Sequence, residues 1–182
     1  MRLYEAIQLA MKAHAKQVRK LDGDIYAAHP IEVGIMLSIA DANEDVIIAG
    51  ILHDTVEDTD VTLADIKAQF GDRVEELVRG CSEPDKSKSW KERKMQMLTF
   101  VNNGADFETK MIILADKLSN IRSIYRNLET MENCLWDKFN AGYEEQKWYL
   151  TEMCKALDDL SNLAMHEEYC RYVKLVFGQA TE

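Results

Sequence analysis

Helix breakers are nearly absent from this chain: two prolines and eight glycines are spread over 182 residues. A β-rich domain turns every few residues, and its turns draw heavily on those two residue types. The apolar positions here recur at spacings of three and four almost throughout, which is the period of an amphipathic helix. An all-α domain is therefore expected. Leu3, Ile7, Ala10, Met11, His14 and Val18 line one face of a first helix, which should stop near Lys20 because Asp22-Gly23-Asp24 signals a turn. A second helix opens at Pro30, with His29 at its N-terminal edge. A third runs from about Asp45 through Ile51 and Leu52 into His53-Asp54, apolar enough to be central. Thr62 to Asp65 and Ser89 to Glu92 have the form of capping boxes, Asp72 reads as a further cap, and Gly71, Gly80 and Asn102-Asn103-Gly104 as stops. Ser82 to Ser89 is the most loop-like segment. A long helix follows from about Phe107 to Leu128, then a turn region around Thr130 to Asn133, and helix again to about Phe177 with a break near Asp159 to Asn162.

The length suits one domain, residues 1–182, since such units run to roughly 100 to 200 residues. Its formal net charge is −10, and an acidic surface repels phosphate backbones, so neither long nucleic acid nor an anionic membrane is an expected partner. The longest strongly apolar stretch, Val46 to Leu52, falls far short of the ~20 residues that span a bilayer. Glu5, Gln8 and Lys12 break the N-terminal apolar run, which therefore lacks the core of a secretory signal. The four cysteines form no C-x-x-C pair and read as reduced thiols. A soluble, cytoplasmic protein is the expectation.

Three separated segments hold the unusual residues: His29-Pro30, His53-Asp54-Thr-Val-Glu57-Asp58, and Asp116-Lys-Leu-Ser-Asn120. On a helix Glu57 would stand one turn beyond His53 and Asp54, and Asp58 one turn beyond Asp54. Carboxylates crowded beside an imidazole at the end of an apolar helix repel one another and need a compensating cation. A mixed imidazole and carboxylate set suits Mn, Fe, Co, Ni or Zn better than Mg or Ca. A lone His-Asp dipeptide means little, whereas the full H-D-x-x-E-D string arises by chance in on the order of one chain in a thousand. His14 reads as a packed histidine, and His166, beside Glu167 and Glu168, as solvated.

The chain resembles the HD-domain metal-dependent phosphohydrolases, and within them the alarmone branch, the hydrolase domain of Rel/Spo-type (p)ppGpp enzymes and its stand-alone relatives. The resemblance covers nearly the whole chain. It rests on His14-Ala-Lys-Gln17-Val-Arg19-Lys20, Tyr26-Ala-Ala-His29-Pro30, His53 to Thr59, Phe70-Gly71 with Val74 and Leu77-Val78, and Leu114-Ala-Asp116-Lys-Leu-Ser-Asn120-Ile-Arg122. It implies a single HD-domain helical bundle in which His29, His53, Asp54 and Asp116 hold one divalent metal, usually Mn²⁺ in this branch. Glu57 and Asp58 would activate and deliver the attacking water. Arg19, Lys20 and Asn120 would bind a small-molecule nucleotide, and the reaction would remove the 3′-pyrophosphate from (p)ppGpp. A bifunctional synthetase is not expected, because the chain ends where the hydrolase domain should end.

Some positions depart from the branch. Gly23-Asp24-Ile25-Tyr26 stands where many relatives have Gly-x-Pro-Tyr, and Ile113 stands where a lysine is usual, with Lys117 and Arg122 as possible replacements for that cation. The aromatic residue that closes the nucleotide pocket has no clear match among the C-terminal helices. An HD phosphohydrolase acting on another phosphorylated nucleotide or metabolite, and a non-catalytic nucleotide-sensing module, stay open as alternatives. The charge distribution has local structure: Asp41 to Glu76 holds 11 acidic and two basic residues, whereas residues 1–20 and 86–94 each hold five basic residues and one acid. Those two basic segments are candidates for a phosphate-facing rim.

Overall fold

The computed structural model describes residues 1–21, 23–82 and 87–178. The expected turn at Asp22 and most of the expected loop after Ser82, Lys86 included, lie outside the described residues. The fold is an all-α bundle, as the rarity of breakers requires. Its helices are α1 (Arg2–Ala13), α2 (Ala28–Ile39), α3 (Glu44–Leu52), α4 (Thr55–Asp58), α5 (Leu63–Phe70), α6 (Asp72–Cys81), α7 (Trp90–Asn103), α8 (Phe107–Met131), α9 (Tyr143–Ala156) and α10 (Ala164–Phe177), with 3₁₀ stretches at Glu132–Lys138 and Asp158–Leu160.

α8 is the axis. Met111 to Ala115 are buried in succession, which a helix shows only when it is covered on all sides, and α2, α3, α6 and α10 do the covering. α2 and α3 lie unusually close to each other. A Cβ on Gly34 would sit 2.4 Å from Ile51 Cγ1, and one on Gly50 would sit 2.3 Å from Leu37 Cδ1. Reciprocal glycines let the backbones approach, and that approach brings His29 at the start of α2 beside His53 at the end of α3.

The capping boxes at Thr62 with Asp65 and at Ser89 with Glu92 form with both reciprocal hydrogen bonds. Gly71, at φ +93°, takes the N-cap position of α6, so Asp72 is the first helical residue and not the cap. Two helices are shorter than their apolar period suggests. α1 ends at Ala13 and not near Lys20: the Arg19 amide bonds the Asp24 carbonyl at 2.8 Å and the Tyr26 amide bonds that of Gln17 at 3.0 Å, which makes a short antiparallel turn. Val18, which continued the helical pattern, is 62% exposed there. α3 ends at Leu52, where the Thr55 hydroxyl takes the Leu52 carbonyl at 2.7 Å, and α4 restarts as a single turn.

The C-terminal pair corrects two further expectations. α9 and α10 form a hairpin that joins Cys154 to Cys170 as a disulfide, with Cα atoms 5.8 Å apart, so these two are not the reduced thiols expected from their spacing. Sixteen residues separate them in sequence, and only the fold of the hairpin reveals the pairing. His166 is 7% exposed, and so is not solvated, because it faces the same seam and not the side of Glu167.

Candidate functional site

The three unusual segments converge. His29 Nε2 lies 3.4 Å from Asp54 Oδ2 and 3.3 Å from Asp116 Oδ1, while His53 Nε2 lies 3.0 Å from Asp54 Oδ1 and 3.7 Å from Asp116 Oδ1. Both imidazoles are buried. α2, the junction between α3 and α4, and the middle of α8 each contribute, and the junction supplies two residues because His53 and Asp54 are adjacent.

Hydrogen accounting fixes how the two rings face this point. His53 Nδ1 contacts the Gly50 carbonyl at 2.8 Å, and a carbonyl only accepts, so Nδ1 carries the proton and the Nε2 lone pair is bare. Among the described residues His53 Nε2 is buried with no well-directed hydrogen-bond partner and faces the Asp54 carboxylate at 3.0 Å. His29 Nδ1 lies 2.8 Å from Ser119 Oγ, whose single hydrogen is directed at Glu32 Oε2, 2.6 Å away. Ser119 must therefore accept from His29, and the second imidazole also turns a bare Nε2 inward. Two nitrogen lone pairs and two carboxylates then meet in one small space, an arrangement that is stable only around a cation.

The electrostatics agree. Burial alone would lower His53 and raise both carboxyls, yet the reverse holds. His53 is raised well above its ordinary 6.5 by Asp54 and Asp116; Asp54 is held well below 3.8 by His53 and His29, and Asp116 by Lys117 and the same histidines. Without a metal, the two carboxylates favour a second proton on His53, at Nε2, in the place a cation would otherwise take. The donor set of two imidazoles and two carboxylates fits a divalent transition ion.

Glu57 borders this pocket, which has a volume of about 160 Å³. Asp58 points toward a second, larger cavity of about 550 Å³, lined also by Arg19, Lys20, Tyr26 and Asn120. The sequence-derived nucleotide contacts therefore gather in one place: Arg19 Nη2 donates to Asn120 Oδ1 at 3.2 Å, and Asn120 Nδ2 donates to Asp116 Oδ1 at 2.5 Å. Lys20 is on the wall, although on a turn and not on a helix.

Several further residues line the site, some with no role assigned from sequence and some named there only as candidate cations. Tyr26, legible only as part of a motif, donates from its hydroxyl to Asp54 Oδ2 at 2.6 Å and reaches Asp58 Oδ2 at 3.4 Å. Burial and the charge of Asp54 push its phenol far up, so it stays a donor. Gln17 donates to the Asp58 carbonyl at 2.7 Å. Lys94 of α7 and Lys117 of α8 border both cavities, and Lys117 Nζ pairs with Asp116 Oδ2 at 2.6 Å. Of the two cations considered as substitutes for the lysine replaced by Ile113, Lys117 is at the site. Arg122 is not: it bonds Glu168 and Glu32. Among its described residues the basic segment 86–94 contributes one cation to the wall, Lys94. In the first basic segment Arg19 and Lys20 reach the cavity, while Arg2 pairs with Glu44 and Asp45 elsewhere. Trp90 of α7 and Tyr149 of α9 also line the larger cavity, ring centroids 5.9 Å apart and nearly perpendicular.

The family model described as "HD domain" matches residues 6–136. The zebrafish protein named guanosine-3′,5′-bis(diphosphate) 3′-pyrophosphohydrolase is 38% identical over 129 residues, covering 68% of this chain and 69% of its own. An Aquifex aeolicus protein of the same enzyme name is 34% identical over 128 residues, 68% of this chain but 18% of that protein, so this chain corresponds to under a fifth of its length. Among solved structures, a Listeria monocytogenes protein superposes with a TM-score of 0.75 at 39% identity, over 83% of this chain and 94% of the other. A metazoan SpoT ortholog, described as hydrolysing ppGpp, superposes with a TM-score of 0.76 at 30% identity, over 98% of this chain and 94% of its own. Among the described residues no helix is long and apolar enough to cross a membrane. With its paired histidines, its adjacent His53-Asp54 and a matching family model over most of its length, this chain belongs to the HD domain family.

Proposed function

We propose that this chain is a cytoplasmic, Mn²⁺-dependent hydrolase that removes the 3′-pyrophosphate from (p)ppGpp or a closely similar nucleotide. The observation that carries the proposal is the junction of two cavities: a His29, His53, Asp54 and Asp116 cluster opens beside a chamber whose wall is cationic and aromatic. A chamber of about 550 Å³ lies within the usual range for a small-molecule site, roughly 300 to 1,000 Å³. The zebrafish and metazoan relatives carry this activity in their descriptions, which supports the choice of substrate.

His29, His53, Asp54 and Asp116 would hold the ion, which when bound polarises a phosphoryl oxygen and makes water more acidic. The remaining work belongs to the chain. Glu57 and Asp58 take the proton of the attacking water and return one to the departing ribose oxygen. Tyr26 orients Asp54 and Asp58 together. Arg19 and Lys20 hold the nucleotide, Asn120 hydrogen-bonds it, and Lys94 and Lys117 neutralise phosphate charge. Trp90 and Tyr149 offer apolar faces to the base. The net acidity of the chain does not oppose this, since a small anion responds to the local field of the cleft.

Incubation of Mn-loaded protein with ppGpp should release pyrophosphate and GDP; no turnover above an Asp54→Ala control rejects the substrate. Buried Ile113, where a lysine is usual, favours a second reading, an HD phosphohydrolase for another nucleotide. A nucleotide panel separates the two by showing whether orthophosphate or pyrophosphate leaves. Activity that survives in the Glu57→Gln, Asp58→Asn double variant would reject the proton-transfer roles.

A further inference from the structure

Away from the HD cluster, α9 and α10 bring together a second set of ligand side chains. Cys154 lies in the last turn of α9, and His166 and Cys170, four residues apart, share a face of α10. Their ligand atoms all lie within 4.8 Å of one another. His166 is buried, and its Nε2 faces the Cys154 carbonyl at 3.1 Å and the Cys170 sulfur at 3.7 Å. Two sulfurs and an imidazole are a softer set than the oxygen-rich cluster on α2, α3 and α8. Thiolates with imidazole select Zn²⁺ over the hard divalent ions.

We propose that Cys154, Cys170 and His166 form a Zn²⁺ site when reduced, and that the disulfide and the metal are alternative states of the same three side chains. The reductant is an external dithiol. Its thiolate attacks one sulfur of the Cys154–Cys170 bond, and its second thiol then closes on the mixed disulfide and leaves as an oxidised dithiol. Two electrons pass to the protein sulfurs, which take up two protons. Zn²⁺ displaces those two protons and binds both thiolates with His166 Nε2. The ring proton then resides on Nδ1, and water fills the fourth tetrahedral position. Two sulfurs on one zinc stand roughly 3.8 Å apart, from bonds of about 2.3 Å. Side-chain rotation from the bonded pair reaches that spacing, with Cα atoms 5.8 Å apart. Both states fasten α9 to α10, and α9 carries Gln146, Tyr149 and Leu150 on the wall of the large cavity.

Co²⁺ is the probe. Protein reduced with dithiothreitol and desalted without oxygen is titrated with Co²⁺, which gives a thiolate-to-metal charge-transfer band only where sulfur binds. Cys81 borders the HD cluster, so the titration is repeated in Cys81→Ala. The expected result is a band that saturates with one Co²⁺ per site, bleaches with Zn²⁺, persists in Cys81→Ala and is absent from the Cys154→Ser, Cys170→Ser double variant. In His166→Asn the affinity should fall about tenfold or more. Zn²⁺ should also shield two of the four thiols from a disulfide reagent. No band in reduced wild-type protein that retains its helical circular dichroism overturns the proposal, as does a band that survives the double cysteine replacement. Neither result bears on ppGpp turnover, which depends on the other cluster.

Discussion

The Tyr26 hydroxyl donates to Asp54 Oδ2 at 2.6 Å and stands 3.4 Å from Asp58 Oδ2, so one phenol links a metal-ligand candidate to a proton-transfer candidate. Tyr26→Phe removes the link and keeps the ring, which stacks near His14 at 4.8 Å. Mn²⁺ affinity should fall about tenfold, as is usual when the partner of a metal ligand is lost, and kcat should fall with it. Calorimetric titration with Mn²⁺ measures the first effect and steady-state kinetics the second; unchanged affinity would remove Tyr26 from the site.

A longer chain of contacts stands behind His29. Ser119 accepts from its Nδ1, Glu32 takes the Ser119 hydroxyl, and Arg122 grips Glu32 from one side and Glu168 of α10 from the other. Ser119→Ala leaves His29 Nδ1–H without an acceptor, and Glu32→Gln weakens the pull on the serine hydrogen. Each should cost roughly 10 to 100-fold in metal affinity, with Ser119→Thr close to wild type. Equal Mn²⁺ affinity in Ser119→Ala and Ser119→Thr would count against this relay.

Acid and base should each destabilise the metal-free protein, through different groups. His53 is raised above its ordinary 6.5, so the stability it lends is complete below 6.5 and is lost as pH rises through its folded value. Asp54 and Asp116 are held below 3.8, so theirs is complete above 3.8 and is lost as pH falls through their folded values. Their combined contribution is greatest between those two pH values. Chelator-treated protein should therefore melt at progressively lower temperature as pH rises from about 6.5 to 9. The stabilisation on adding Mn²⁺ should grow over the same range, because bound metal displaces the His53 proton. Thermal melts across that range, with and without Mn²⁺, test both trends; a Mn²⁺-induced shift indifferent to pH would contradict them.

Gly50 couples packing to the site. A methyl there would collide with Leu37, and its carbonyl is the acceptor for His53 Nδ1. Gly50→Ala should destabilise the fold by about 1–3 kcal/mol. For a chain of this size that lowers Tm by roughly 2–4 °C per kcal/mol. Metal affinity should fall as well, because α3 must shift to make room. Differential scanning calorimetry and Mn²⁺ titration of the same variant would show the two effects together or refute their linkage.

The elements that were legible in the sequence are those governed by local rules. Both capping boxes, the stop at Gly104 and the end of α10 at Phe177 follow from residues within one turn of each boundary. The overrun at α1 has a different cause. Val18 extends the helical period, but the backbone at Gln17 and Arg19 pairs instead with that at Asp24 and Tyr26, and no periodicity in residues 1–20 encodes that partner. The site candidates His29, His53, Asp54 and Asp116 were recognisable because unusual residues cluster in short strings. Tyr149 and Ser119 were not, since each is ordinary for its own helix and acquires meaning only from a neighbour distant in sequence. The same holds for Cys154 and Cys170, whose spacing matches no motif.

α8 carries Asp116 at the histidine–aspartate cluster and Asn120 on the wall of the larger cavity, on one uninterrupted helix buried in the centre of the bundle. Four residues of helix advance about 6 Å, and that rise does not stretch. The helix therefore serves as a ruler: under the proposed function, the distance between the phosphorus under attack and the group that Asn120 would hold is set by the backbone geometry of α8. On that reading, a substrate whose scissile bond lies one linkage farther from its base would be too long for the site.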